Sequence, residues 1–202
     1  ATAKRLAKDG HHVIGLARSA PPGPFPGDFF RVDLSDVAQV RETLAELTSR
    51  FEVDGVVNNA GLTTSHALME TSVEELDRIL AVNLRAPMLC VQACLPSMQR
   101  KGRGSVVNVA SRAVLGIARR SAYAAAKSGL VGFTRTWALE LGQYGVTVNT
   151  VAPGPVLTEL YRNNNPMTPA QAQKLADRIP LRRIGQPEDV AGVIAFFLSD
   201  DA

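Results

Sequence analysis

Ser105-Val106-Val107-Asn108-Val109-Ala110-Ser111 is the stretch that decides the fold. It is a short Val-rich run that ends in small residues, the pattern of a buried strand leading into a loop. Two other stretches read the same way. Val56-Val57-Asn58 runs into Asn59-Ala60-Gly61, and Val148-Asn149-Thr150-Val151 runs into Ala152-Pro153-Gly154. Between and around them the pattern switches to helical spacing. Working outward, the residues predict a helix over 1–8 stopped by Gly10, a strand over 13–17, a Pro- and Gly-rich loop over 20–28 and a strand over 29–32. A helix over 36–50 carries Val37, Val40, Leu44 and Leu47 on one face, and a strand covers 53–58. A helix over 72–80 opens on Ser72 before Glu74 and Glu75, and a long apolar helix over 83–101 is interrupted by Pro87 and Pro96. Then come a strand over 105–110, a helix over 121–144, a strand over 146–151, a mobile segment over 158–179 with one helix after Thr168, and a helix over 187–198 with Pro187 in its first turn.

Strands and helices therefore alternate, and the strands are continuous apolar runs. That is the pattern of an α/β fold, a doubly wound parallel sheet covered on both faces, in one domain over 1–202. The opening helix has no strand ahead of it and the last helix no strand after it. A right-handed crossover pattern calls for one more strand at each end.

The composition limits the function. The chain has 202 residues, a net charge of +3, 46% hydrophobic and 20% charged residues, which suits a globular core rather than disorder. The excess cations are scattered and aromatics are 5%, so no basic, base-stacking surface for nucleic acid is expected. No run approaches the roughly 20 uninterrupted apolar residues of a membrane span, and no apolar leader follows Lys4, Arg5 and Lys8. A reducing, cytoplasmic setting is expected. Cys90 and Cys94 are the only cysteines, too few for a disulfide scaffold or a zinc site, so no metal is expected and both are read as core.

Ligands of open α/β sheets bind beyond the carboxyl ends of the strands. Three strands here end in small residues that let backbone approach a ligand. Tyr123 and Lys127 lie four apart near the start of one helix and share a face, with only Ala124, Ala125 and Ala126 between them. Ser111 stands at the strand end leading to that helix. A phenol with an ordinary pKa near 10 is a poor acid–base group at neutral pH, and a neighbouring ammonium is expected to lower it. Ser111 holding a carbonyl oxygen while Tyr123 exchanges its proton is the arrangement that hydride transfer to a carbonyl carbon needs.

Taken in order, Asn58-Asn59-Ala60-Gly61, Asn83 in Val82-Asn83-Leu84, Ser111, Tyr123-Ala124-Ala125-Ala126-Lys127 and Pro153-Gly154-Pro155-Val156-Leu157-Thr158 resemble the classical short-chain dehydrogenase/reductase family over the whole chain. The resemblance implies a Rossmann-like fold and a catalytic set of Asn83, Ser111, Tyr123 and Lys127. Tyr123 would be general acid in reduction and base in oxidation. Lys127 would lower its pKa and bind the nicotinamide ribose. Asn83 would hold a water linking Lys127 to solvent. Asn59, Ala60 and Gly61 would wall the adenine ribose, Asp33 with Leu34 would meet the adenine, and Pro153, Gly154, Val156 and Thr158 would cover the nicotinamide. The family's Gly-rich pyrophosphate turn and its last strand have no counterpart here, so these expectations are for the intact domain. The loop from Ser111 to Tyr123 is one residue shorter than usual in the family.

Cofactor choice is expected to favour NADP(H) over NAD(H). Where NAD-preferring members carry an acid, this chain has Ala17 followed by Arg18, whose guanidinium suits a 2′-phosphate. The leading expectation is an NADP(H)-dependent carbonyl reductase or alcohol dehydrogenase, with 3-oxoacyl thioesters as the first guess for substrate. The alternative is a non-catalytic dinucleotide sensor on the same fold. A homodimer or homotetramer is expected, because the two long helices carry more apolar surface than one sheet face needs. His66 near the mouth, and Arg119 with Arg120 before Tyr123, are read as surface groups, with attraction of an anionic substrate the competing reading for the arginines.

Overall fold

The computed structural model describes residues 1–202. Its elements run α1 (Thr2–Lys8), β1 (Val13–Ala17), β2 (Gly27–Arg31), α2 (Val37–Arg50), β3 (Gly55–Asn58), α3 (Val73–Leu80), α4 (Ala86–Lys101), β4 (Gly104–Val109), α5 (Ser121–Leu141), β5 (Val146–Val151), α6 (Glu159–Asn164), α7 (Pro169–Ala176) and α8 (Pro187–Phe197). All strand pairs are parallel; α3 with α4 makes the crossover from β3 to β4 and α5 the one from β4 to β5, whereas β1 reaches β2 through the Pro- and Gly-rich stretch 18–26 with no helix between them. The expected doubly wound α/β class is what the molecule adopts, as a single domain.

The sheet is divided. β1 pairs with β2, and β3, β4 and β5 form a second sheet in that order. β1 and β3 are not hydrogen-bonded to each other, and a groove of about 1510 Å³ lies between them, lined by Val13, Leu16 and Ala17 on one side and Val56, Val57 and Asn58 on the other. The second strand starts two residues earlier than the sequence suggested, at Gly27 rather than Phe29. Gly27 has φ +141°, and a Cβ there would collide with the Val13 carbonyl oxygen, so the strand can begin only at a residue without a side chain.

The pleat sorts the core onto two faces. Val56, Val106 and Val148 pack with Val91, Cys94 and Met98 of α4 and Leu141 of α5. Val107 and Val109 face the other way, onto Ile194 of α8, and α1 packs on α8. The small sheet is covered through Val32, Val40 and Leu44, which meet Leu89, Cys90 and Ala93 of α4. Side-chain caps fix helix starts: Asp36 accepts from Ala38 and Gln39 N–H at α2, and Ser72 from Glu75 N–H at α3.

The long helix predicted over 83–101 is instead part of one continuous run from Val73 to Lys101. A wide π-type turn at Ala81–Arg85 joins α3 to α4, and Pro87, in the first positions of α4, falls where that turn already interrupts the regular hydrogen-bond ladder. By length and composition this run is apolar enough to cross a membrane, where the sequence leads to no such expectation. Its Ile79, Val91, Cys94 and Met98 are buried in the core. The segment 158–179 also differs from expectation. It holds two capped helices, α6 and α7, where one was expected.

Candidate active site

The loops after β3, β4 and β5 meet in a cleft of about 700 Å³ at the carboxyl ends of the strands. It is lined by Asn59, Gly61, Ser111, Tyr123, Lys127, Pro153, Gly154, Val156 and Thr158, nine of the residues singled out from sequence. Ser111 follows β4 by two residues in an extended conformation, and its Oγ accepts from Ala113 N–H at 3.2 Å. That bond orients the oxygen and leaves the hydroxyl proton free to donate. The β5 loop is pinned on both sides: Arg112 N–H donates to Pro153 O at 3.0 Å, and Leu157 N–H to Gly185 O at 2.9 Å.

Tyr123 and Lys127 rise from the first turns of α5. Tyr123 is half-buried, and Lys127 is 2% exposed. The ammonium lies 5.8 Å from the centre of the Tyr123 ring and donates to Val109 O at 2.7 Å. Burial pulls its pKa down to about 8. Burial also dominates at Tyr123 and raises the phenol above its ordinary value, opposed by hydrogen bonding from Ser111 and by the positive charge of Arg120. The sequence expectation that Lys127 lowers this pKa is therefore corrected. Desolvation outweighs the nearby charges, and the cation whose field is felt is Arg120. The phenol is protonated at neutral pH, the form in which a reductase uses it.

Asn83 is fully buried at the wide turn. Its amide donates to Leu62 O and Ile79 O, both at 2.8 Å, and its oxygen accepts from Leu62 N–H at 3.2 Å. These bonds hold the β3 loop directly after Gly61. A Cβ on Gly61 would lie 3.1 Å from Asn83 Oδ1 and 3.8 Å from Lys127 Nζ, so glycine keeps the cleft open beside both groups.

Beneath the cleft runs a polar chain that sequence reasoning missed. Asn58 donates to Asn108 at 2.8 Å, Asn108 to Thr134 at 2.9 Å, and Thr134 meets Thr150 at 2.6 Å. It ties β3, β4 and β5 to α5. Its signal was present, because Val-Val-Asn occurs in both β3 and β4 and the two asparagines pair in register.

The other candidates lie apart. Leu34 and Ala60 line the groove between the sheets, and Asn59 borders both groove and cleft. Arg18 and Asp33 line neither. Asp33 accepts from Ser35 N–H and Oγ at 2.9 and 2.7 Å, which holds its carboxyl below the usual range, and Arg18 adds to that lowering. The nicotinamide end of a dinucleotide fits the donors here: the Ser111 hydroxyl, the Tyr123 phenol and the Lys127 amine converge where Gly61 and Gly154 carry no side chain.

The two neighbouring arginines separate. Arg119 has φ +64° and turns outward to Glu70 at 2.9 Å, an exposed ion pair. Arg120 lines the cleft, half-buried. His66 pairs with Glu75 at 2.5 Å and does not line the cleft. Cys90 and Cys94 are core thiols, and burial pushes their pKa values up to about 11 and about 12. No cluster of three metal-binding side chains exists.

A family model described as Enoyl-(Acyl carrier protein) reductase matches residues 1–202. Levodione reductase of Leifsonia aquatica is 39% identical over 178 residues, 84% of this chain and 67% of that protein. The 3-oxoacyl-[acyl-carrier-protein] reductase of Thermotoga maritima is 35% identical over 218 residues, covering 100% of this chain and 86% of its own. Among solved structures, a putative NAD(P)-dependent gluconate 5-dehydrogenase from Beutenbergia cavernae with bound NADP superposes with a TM-score of 0.92 at 31% identity, over 100% of this chain and 84% of that one.

Proposed function

The chain belongs to the short-chain dehydrogenase/reductase family of oxidoreductases, and from that premise we propose that it reduces a carbonyl compound with NADPH, Tyr123 supplying the proton. The observation that carries this reading is the shared cleft of Ser111, Tyr123 and Lys127 with a protonated phenol. Bound NADPH supplies the hydride. Ser111, oriented by Ala113 N–H, donates to the substrate oxygen and holds it beside Tyr123 Oη. As charge develops on that oxygen, the phenol passes its proton to it. The phenolate left behind is stabilised by the Ser111 hydrogen bond and the positive charge of Arg120, the two influences that lower this pKa, while Lys127 is held at Val109 O to meet the nicotinamide ribose. In oxidation the same groups act in reverse. Asn83 is a positioning residue that fixes the loop at Gly61. A set that is complete and mutually oriented favours this reading over a non-catalytic sensor.

NADP(H) is preferred in this reading because no carboxylate follows β1 and Arg18 does. Two hydroxyls at one oxygen suit a carbonyl better than the carbon–carbon double bond of an enoyl thioester. The half-buried Phe133–Trp137 stack and the exposed Leu139 on α5 support a homodimer or homotetramer built through that helix. NADPH oxidation against a panel of ketones, 3-oxoacyl thioesters and enoyl thioesters tests the reading. Carbonyl compounds are turned over, and Tyr123→Phe cuts kcat by about 10²–10⁴-fold, the range of general acid catalysis. Near-native turnover by that variant overturns it.

A further inference from the structure

Arg120 carries a charge that the fold leaves without a counter-ion. Its guanidinium lines the cleft three residues before Tyr123, so the two side chains leave neighbouring positions at the start of α5. Its hydrogen bonds run to four neutral acceptors: Thr63 Oγ1 at 2.7 Å, Thr64 O at 3.3 Å, Asn165 Oδ1 at 3.1 Å and Asn164 O at 3.5 Å. None of the carboxylates that pair with other cations reaches it. The cleft wall as a whole carries Arg112, Arg120 and Lys127 against one carboxylate, Glu159. Lys127 is committed to Val109 O, and Arg112 stands at the exposed rim.

A half-buried guanidinium held by neutral acceptors exchanges them favourably for a carboxylate, because charge-assisted hydrogen bonds are roughly twice as strong as neutral ones. Two of the present acceptors belong to the end of α6 and the residue after it, over the cleft, so an arriving anion takes the place of contacts made by a surface segment rather than by the core. The neighbouring Arg119, which shares its chemistry, is already neutralised by Glu70.

We infer that Arg120 is the specificity-determining residue of this cleft, and that the substrate is a short oxo-acid whose carboxylate pairs with Arg120 while its carbonyl oxygen lies at Ser111 and Tyr123. The inference rests on the carbonyl reductase reading and names the substrate class within it.

Free 3-oxobutanoate and its N-acetylcysteamine thioester share one carbonyl and differ in charge. kcat/KM with NADPH is measured for both, with the native enzyme, Arg120→Gln and Arg120→Lys. Gln keeps a donor for Thr63 and Thr64 and removes the charge. The native enzyme favours the acid at least about tenfold, Gln abolishes the preference, and Lys retains most of it. A native preference for the thioester, or a ratio unchanged in Arg120→Gln, overturns the inference and leaves the reductase reading standing. If neither compound is reduced, the reductase reading is decided by the wider carbonyl panel, and calorimetric binding of 3-hydroxybutanoate against 3-hydroxybutanamide decides the inference alone. Tighter binding of the acid that is lost in Arg120→Gln supports it, and equal binding of the two overturns it.

Discussion

The three-stranded sheet and the two-stranded sheet are built differently, and in the proposed reading the first carries the proton-transfer groups and the second the phosphate end of the cofactor. On the larger sheet, Asn58, Asn108, Thr134 and Thr150 link three strands to α5 through buried side chains, and Tyr123 and Lys127 stand on that helix. On the smaller sheet, Arg18 and Asp33 are held by local contacts, and the sheet joins the rest through α2 against α4 and α1 against α8. Proton transfer needs atoms placed to a fraction of an ångström, whereas grip on a ribose phosphate tolerates an exposed arginine on a loop.

The comparison can be tested at three points. The largest effect is expected at Lys127, where the catalytic half buries a cation. Its native pKa of about 8 lies below the value of the unfolded chain. Between those two values the unfolded chain keeps a proton that the native one has lost, so native stability climbs as pH rises through about 8 to 10. Below pH 8 both states are protonated and the burial cost is fully present. The unfolding free energy of the native protein, less that of Lys127→Met, should rise by about 3 kcal/mol across this window. A flat difference would remove the burial cost from the account.

A smaller effect is expected at Asn108. Asn108→Ala leaves the Asn58 amide without its buried acceptor and should cost about 2 kcal/mol in chemical denaturation. Asp36→Ala, which uncaps α2 beside the small sheet, should cost about 1 kcal/mol. Equal costs would mean that the two halves are not differently stitched. The smallest effect belongs to Arg18. Arg18→Ala should weaken NADPH about tenfold with NADH little changed, read by fluorescence titration. Loss of affinity for both would assign Arg18 to another part of the cofactor.

The catalytic half was legible in the sequence because its groups follow one another at fixed intervals on single elements: Ser111 at a strand end, Tyr123 and Lys127 one helical turn apart. What escaped reading depended on partners distant in the chain. Arg119 and Arg120 are identical letters, and only the positive φ of Arg119 sends one to Glu70 and leaves the other in the cleft. The direction of the Tyr123 shift was misjudged because the degree of burial is a property of packing, which spacing does not report. Helix α6 was missed because it is short and polar, and its start is marked only by Thr158 Oγ1 accepting from Tyr161 N–H at 3.1 Å.

The wide turn at Ala81–Arg85 stores one residue more than a regular α-helix would use at that point of the run from Val73 to Lys101. Excising Leu84 would let the backbone wind as a regular α-helix, and because the wider turn takes up its extra residue locally, Pro87 onward would keep nearly its present facing relative to α3. Cys94 and Met98 would stay on the sheet they cover. The cost of such a deletion would fall inside the turn itself, on Asn83, whose amide pins the β3 loop at Leu62.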